Sequence, residues 1–158
     1  MSQNSTKPDK PGQVADAITG NWVDNFAPIK LRPYLRLSRA DRPIGTWLLL
    51  IPCWWGLLIG ILEDENVLAS DFWLLFSCSI GAFLMRGAGC TWNDILDRKI
   101  DGAVERTRSR PIPSGQVNLT QAIVWMIIQI GLAGTILLSY NLISIKLGLS
   151  SLFLVAIY

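Results

Sequence analysis

Asn93, Asp94, Asp97 and Asp101 fall within one short stretch, NDILDRKID, directly after a long apolar run. On a helix Asn93, Asp97 and Asp101 are spaced i, i+4, i+8 and share a face, with Asp94 one residue round and three before Asp97. Arg86 and Cys90 extend the same stripe back into the apolar run. Hard oxygen ligands of this kind suit Mg²⁺, which takes one or two carboxylates together with phosphate oxygens and water. The ligand types do not suit zinc. The next segment, GAVERTRSRPIPSG, supplies Arg106, Arg108 and Arg110 among glycines and prolines that shape a loop. Acids that could hold a metal beside arginine forks are what a diphosphate needs on its two sides. The plainer alternative is that the acids are solvated interface residues paired with Arg98 and Lys99. Arg86 weighs against it, because an arginine inside an apolar span is costly and by default marks a functional site with a partner.

Other chemistries are closed. The chain has no histidine, which removes Ser-His-Asp and Cys-His catalysis and histidine-ligated metals. Cys53, Cys78 and Cys90 all lie in apolar segments without metal-ligand spacing and read as small buried hydrophobes.

The elements that must position the acids are set by the apolar blocks. Of 158 residues 51% are hydrophobic and 16% charged, and the mean hydropathy is +0.37. Apolar residues are pooled rather than spread at helical or strand period. Residues 43–62 carry no charge, residues 72–92 carry only Arg86, residues 119–140 carry none, and residues 142–158 carry only Lys146 near their start. Blocks of roughly 20 apolar residues match a bilayer-crossing helix. The expected fold is all-α, a polytopic transmembrane bundle with four spans. Residues 1–28 are polar and Pro-containing at their start and lack the apolar segment of a signal peptide. They read as a disordered lead-in, with 29–158 as the membrane domain.

Charge orients the bundle. Lys30, Arg32, Arg36, Arg39 and Arg42 precede the first span, EDENVLASD between the first two has four acids and no Lys or Arg, and the 93–118 loop is again basic. The positive-inside rule places the N-terminus and the acidic-motif loop on the cytoplasmic side. IKLRPYLRLSRADRP, residues 29–43, could form a short helix lying in the headgroup region; a plain basic flank is the alternative for most of its arginines. The tryptophans fall mostly near span ends, as in aromatic belts. Because the basic residues follow membrane topology rather than one soluble face, no nucleic acid is expected among the partners.

These residues also carry a family likeness. NDILDRKID fits the N-D-x-x-D-x-x-x-D signature of the intramembrane aromatic prenyltransferases, and the agreement runs through LMRGAGCTWND before it and RTRSRPIPSGQV after it. RLSRADRPIGTWLLLIPCWWGL resembles most the 4-hydroxybenzoate polyprenyltransferases of ubiquinone biosynthesis. The resemblance implies a bundle of about nine spanning helices in which two Asp-rich motifs face a central cavity and Mg²⁺ bridges them to a polyprenyl diphosphate. It implies Asn93, Asp94, Asp97 and Asp101 as metal ligands, with Asp97 and Asp101 catalytic, and Arg106 and Arg110 as diphosphate contacts. Arg42 would meet the carboxylate of 4-hydroxybenzoate, and Arg86 would support either the motif or the substrate. The setting implied is a lipid bilayer, the bacterial or mitochondrial inner membrane.

One departure stands out. The family carries a second Asp-rich motif further along, whereas no Asp or Glu follows Glu105 here. The chain is therefore expected to be the N-terminal part of such a domain, with its activity alone in question. Within the family, homogentisate, menaquinone precursors, chlorophyllide and haem are alternative acceptors. DGAVER at 101–106 bears a weak likeness to the start of the CDP-alcohol phosphatidyltransferase pattern, which needs further downstream aspartates. A non-catalytic membrane protein with acids along a cation path is the remaining class, and it leaves the arginine loop unexplained.

Overall fold

The computed structural model describes residues 14–157 except 16, 19 and 65. Among them the chain is entirely helical, with α1 Trp22–Phe26, α2 Arg32–Leu37, α3 Ile44–Asp64, α4 Ala69–Leu96, α5 Arg98–Ala103, α6 Leu119–Leu138 and α7 Leu142–Ile157. Three of these, α3, α4 and α6, are long and apolar enough to cross a membrane. The fourth apolar block folds as α7, an apolar helix over its 16 described residues, and among the described residues three helices have spanning length.

Helix lengths explain where the acidic motif sits. The 21 residues of α3 reach about 32 Å at a helical rise of about 1.5 Å per residue, close to the hydrocarbon thickness. The 28 residues of α4 reach about 42 Å, so its last turns extend beyond the apolar slab and carry Asn93 and Asp94 with them.

Helix α4 is the hub, packed against α3, α6, α2 and α5. Without a hydrophobic drive between helices in lipid, close approach of backbones does the work, and small residues permit it. Ala82, Gly87, Ala88, Cys90 and Thr91 are buried on α4, and Ala122 and Ala133 on α6. Gly87 shows why: a Cβ there would lie 3.0 Å from the Ser38 Cβ and collide with the Gln129 amide. At the far end the Tyr140 hydroxyl is 2.7 Å from Ser77 Oγ, tying the end of α6 to α4. A Cβ at Gly148 would crowd Leu137, so α7 folds back closely on α6.

Short elements close the motif end of the bundle. Leu37, Ile95, Val117 and Ala122 form one buried cluster, flanked by Tyr34, Ile112, Trp125 and Met126. Val23, Ala27 and Ala40 form a second with Leu35 and Phe83. Helix α1, Trp22–Phe26, falls within the stretch 1–28 that reads as a lead-in. Residues 1–13 lie outside the described residues, but α1 folds over the bundle end because Val23 and Ala27 have apolar surface to cover. Its cap is local: the Asn21 side chain accepts from the Asp24 N–H at 3.0 Å. The expected interfacial helix exists as α2, yet it is held by protein rather than spread on lipid. Leu37 is buried in the core, and Arg36 is buried against Asp24 at 2.6 Å. Two further readings shift. Trp125 is turned into the protein: its ring lies 5.4 Å from Tyr34 at a tilt of 48°, and its Nε1 donates to Ser38 Oγ. Only Cys90 is a buried cysteine, since Cys53 faces outward from α3 and Cys78 is half-buried.

Candidate functional site

The site is assembled from three segments at the long end of α4: the last turns of α4 with α5, the turn between α2 and α3, and the 104–118 loop. The acids come first. Helix α4 ends at Leu96 and α5 starts at Arg98, so the single helix expected through the motif is interrupted at Asp97. The interruption is shallow. Asp97 N–H donates to Asn93 O at 2.9 Å and Asp101 N–H to Asp97 O at 2.8 Å, which preserves the i, i+4 register on both sides. Asp94 and Asp101, two turns apart, both point inward and are buried. Asp97, at the junction of the two helices, is exposed.

The arginines come from elsewhere in the chain. Arg110 Nη1 lies 2.8 Å from Asp101 Oδ2 and 3.4 Å from Asp94 Oδ1, bridging the two acids. The loop holds it there. Thr107 Oγ1 donates to Asp101 O at 3.0 Å, Arg110 N–H donates to Thr107 O at 2.9 Å, and Ser114 Oγ donates to Arg110 O at 2.7 Å. From the α2–α3 turn Arg39 places Nη2 2.6 Å from Asp94 Oδ1. Its backbone φ of 57° is in the left-handed region, which costs an L side chain on the order of 1 kcal/mol. Three residues on, Arg42 Nε is 3.4 Å from Asp41 Oδ2. Arg86 lies over the start of α3, where a Cβ at Gly45 would fall 2.5 Å from its guanidinium carbon. Glycine at 45 is what leaves room for that side chain.

Arg39, Arg42, Arg86 and Arg110, with Cys90 and Asn93, line one cavity of about 280 Å³. Four guanidinium groups around a space this small repel one another, with the buried carboxylates of Asp41, Asp94 and Asp101 behind them. The arrangement favours a multiply charged anion, which arginine forks bind through paired hydrogen bonds. Asp94 Oδ2 is buried with no hydrogen-bond partner on a residue 1% exposed. An orphaned carboxylate oxygen inside a polar cluster is an expensive feature unless something binds it.

The expected site residues therefore divide. Arg42, Arg86, Arg110 and Asn93 meet at the cavity, and Asp94 and Asp101 stand behind it on Arg110. Asp97 and Arg106 are exposed and lie outside the lining. Among the described residues no group of three or more His, Cys, Asp and Glu is placed to hold a metal ion unaided. The donors are nonetheless the hard oxygens Mg²⁺ prefers, and the buried Asp94 Oδ2 has no hydrogen-bond partner, so the cluster fits a cation that completes its shell with phosphate oxygens. Arg39 is the residue that reading the sequence missed. In RLSRADRP it is one basic flank residue among several, and only the turn that aims it at Asp94 sets it apart.

Membrane-length helices ending in an arginine cavity backed by carboxylates define a helical membrane protein with a strongly basic site at one end of its bundle. Residues 49–158 match the UbiA prenyltransferase family, and the chain belongs to that family. It is 48% identical over 142 residues to the 4-hydroxybenzoate polyprenyltransferase, mitochondrial, of Rattus norvegicus, covering 90% of this chain and 37% of the relative. The proteins of the same name from Homo sapiens and Schizosaccharomyces pombe are 44% and 41% identical, over 96% and 100% of this chain and 40% and 44% of the relatives. The chain thus spans about two fifths of the length of these relatives. No solved structure matches it significantly.

Proposed function

We propose that the protein transfers a polyprenyl group from polyprenyl diphosphate to the ring of 4-hydroxybenzoate, ortho to the hydroxyl, in ubiquinone biosynthesis. The observation that carries this reading is the cavity of Arg39, Arg42, Arg86 and Arg110 with Asn93 beside the buried Asp94–Asp101 pair. The names of the relatives supply the acceptor.

The cavity arginines bind the diphosphate at the bundle end, so its prenyl tail lies along the apolar helices. Departure of the diphosphate breaks the allylic C–O bond and leaves negative charge on its oxygens. Guanidinium groups already in place stabilise that charge without reorganisation. Asn93, Asp94, Asp97 and Asp101 would hold Mg²⁺, which would supply further positive charge to the same oxygens. The allylic cation is attacked by the ring carbon ortho to the phenol oxygen, and a ring proton leaves. Arg42, nearest the start of α3, takes the acceptor carboxylate, and Arg86 stands between the two substrates. Apolar helices keep water from the cation. The bilayer is a mitochondrial or bacterial inner membrane, with the arginine loop on the side that holds the soluble acceptor.

Membranes containing the native protein are expected to convert 4-hydroxybenzoate and a polyprenyl diphosphate to the prenylated acid. The conversion should stop with EDTA and resume with Mg²⁺. Transfer to homogentisate but not to 4-hydroxybenzoate would overturn the acceptor, and no transfer to any aromatic acceptor would overturn the reaction.

A further inference from the structure

Arg39 is the single non-glycine residue with positive φ among the described residues. Strained conformations persist only where the surroundings over-determine them, and they gather at functional sites. The surroundings here come from three directions. Within the turn, Arg39 N–H donates to Arg36 O at 3.0 Å and Ala40 N–H to Leu35 O at 2.9 Å. From the N-terminal side Trp22 Nε1 donates to Ala40 O at 2.7 Å. From α6 both Trp125 Nε1 and Gln129 Nε2 donate to Ser38 Oγ, at 2.8 and 3.0 Å. The residues on either side of Arg39, Ser38 and Ala40, are buried.

So fixed, the side chain crosses to α4 and contacts one oxygen of Asp94, Oδ1, while Oδ2 keeps no hydrogen-bond partner. A carboxylate gripped through one oxygen presents the other in a set direction, as outer partners do for metal ligands generally. The turn also precedes the residues, 49–158, over which the chain matches its family. We propose that Arg39 is a positioning residue, which fixes the Asp94 carboxylate through Oδ1 and orients Oδ2 toward a divalent cation bound with the diphosphate. This rests on the prenyl-transfer reading above.

Glycine tolerates positive φ better than any other residue, so Arg39→Gly removes the guanidinium while leaving the turn free to form. The native protein in nanodiscs is titrated with Mn²⁺ in the presence of inorganic pyrophosphate, with bound Mn²⁺ followed by EPR. Arg39→Gly is expected to weaken Mn²⁺ binding about tenfold or more, and Arg39→Lys, which keeps the charge, to restore part of it. In an Asp94→Asn background Arg39→Gly should have little further effect. A monodisperse, fully helical Arg39→Gly protein with wild-type Mn²⁺ affinity would overturn the assignment. So would a loss of equal size with and without Asp94, because Arg39 would then act elsewhere. Should Arg39→Gly fail to fold, Arg39→Lys decides in its place, wild-type Mn²⁺ affinity and an undistorted EPR line shape counting against the assignment. Wild-type protein that binds Mn²⁺ without transferring a prenyl group removes the reaction but not the role of Arg39. Wild-type protein that binds none removes both.

Discussion

Asp94 and Asp101 share one guanidinium, Arg110, and that geometry separates the three aspartates of the motif by what their loss should do. Arg110→Ala removes a preorganised donor from the cavity and takes the guanidinium from the buried Asp101, while Asp94 keeps Arg39. Removing one donor of this kind lowers turnover by roughly 10²-fold or more, and initial rates in membranes at saturating substrates check this. The proposed metal role makes a different demand on Asp97, which is exposed. Asp97→Ala should abolish Mg²⁺-dependent transfer while leaving thermal stability near wild type, because a surface substitution usually moves stability by about 0.5 kcal/mol or less. Wild-type rates in that variant would remove Asp97 from the metal set. Arg106, equally exposed and away from the cavity, is expected to matter less than Arg110.

At the scale of elements, glycines decide how closely the helices carrying the site can approach. Gly87 lies where α4, α6 and the Ser38 turn converge. Gly87→Val would force the Gln129 amide out of its bond to Ser38 Oγ and overpack the contact. A loss of about 1–3 kcal/mol follows for overpacking of this kind, and thermal unfolding in detergent measures it. Gly45 differs in kind, since the atoms a Cβ would meet there are the end of an exposed side chain, Arg86. Gly45→Ala should therefore displace that guanidinium and raise KM with little change in Tm. The pair tests whether a glycine serves packing or the cavity. Between α1 and α2 the buried Asp24–Arg36 pair joins the two short helices that cover the bundle end. Asp24→Ala removes the carboxylate 2.6 Å from the buried Arg36 guanidinium and should cost about 3 kcal/mol, read in the same unfolding assay.

For the whole molecule, three membrane-length helices with apolar residues on every side require lipid or further helices around them. Basic residues flank α3 and fill the loop after α4, whereas the link between α3 and α4 is acidic. The orientation proposed from this asymmetry is testable with single cysteines at Glu63 and Glu105, which lie at opposite ends of α4's span. In oriented vesicles a membrane-impermeant maleimide should label one and not the other. Labelling of both from the same side would overturn the topology.

Much of this was legible in the residues themselves. The lengths of the uncharged blocks dictate spanning helices because an unpaired backbone group is intolerable in hydrocarbon, so a long apolar run has few ways to fold. The NDILDRKID spacing likewise puts Asn93, Asp97 and Asp101 along one helix face with Asp94 beside them, and Arg86 inside an apolar span had to have a purpose. What the tertiary structure alone decided is the company those acids keep. Arg39 and Arg110 reach Asp94 from 55 and 16 residues away, through a left-handed turn and a loop whose shapes depend on contacts with α1, α5 and α6. Local periodicity cannot encode such contacts, because they are selected by packing between distant segments. For the same reason α1 left no periodic trace in a polar lead-in, and its place was set by the apolar surface at the bundle end that Val23 and Ala27 cover.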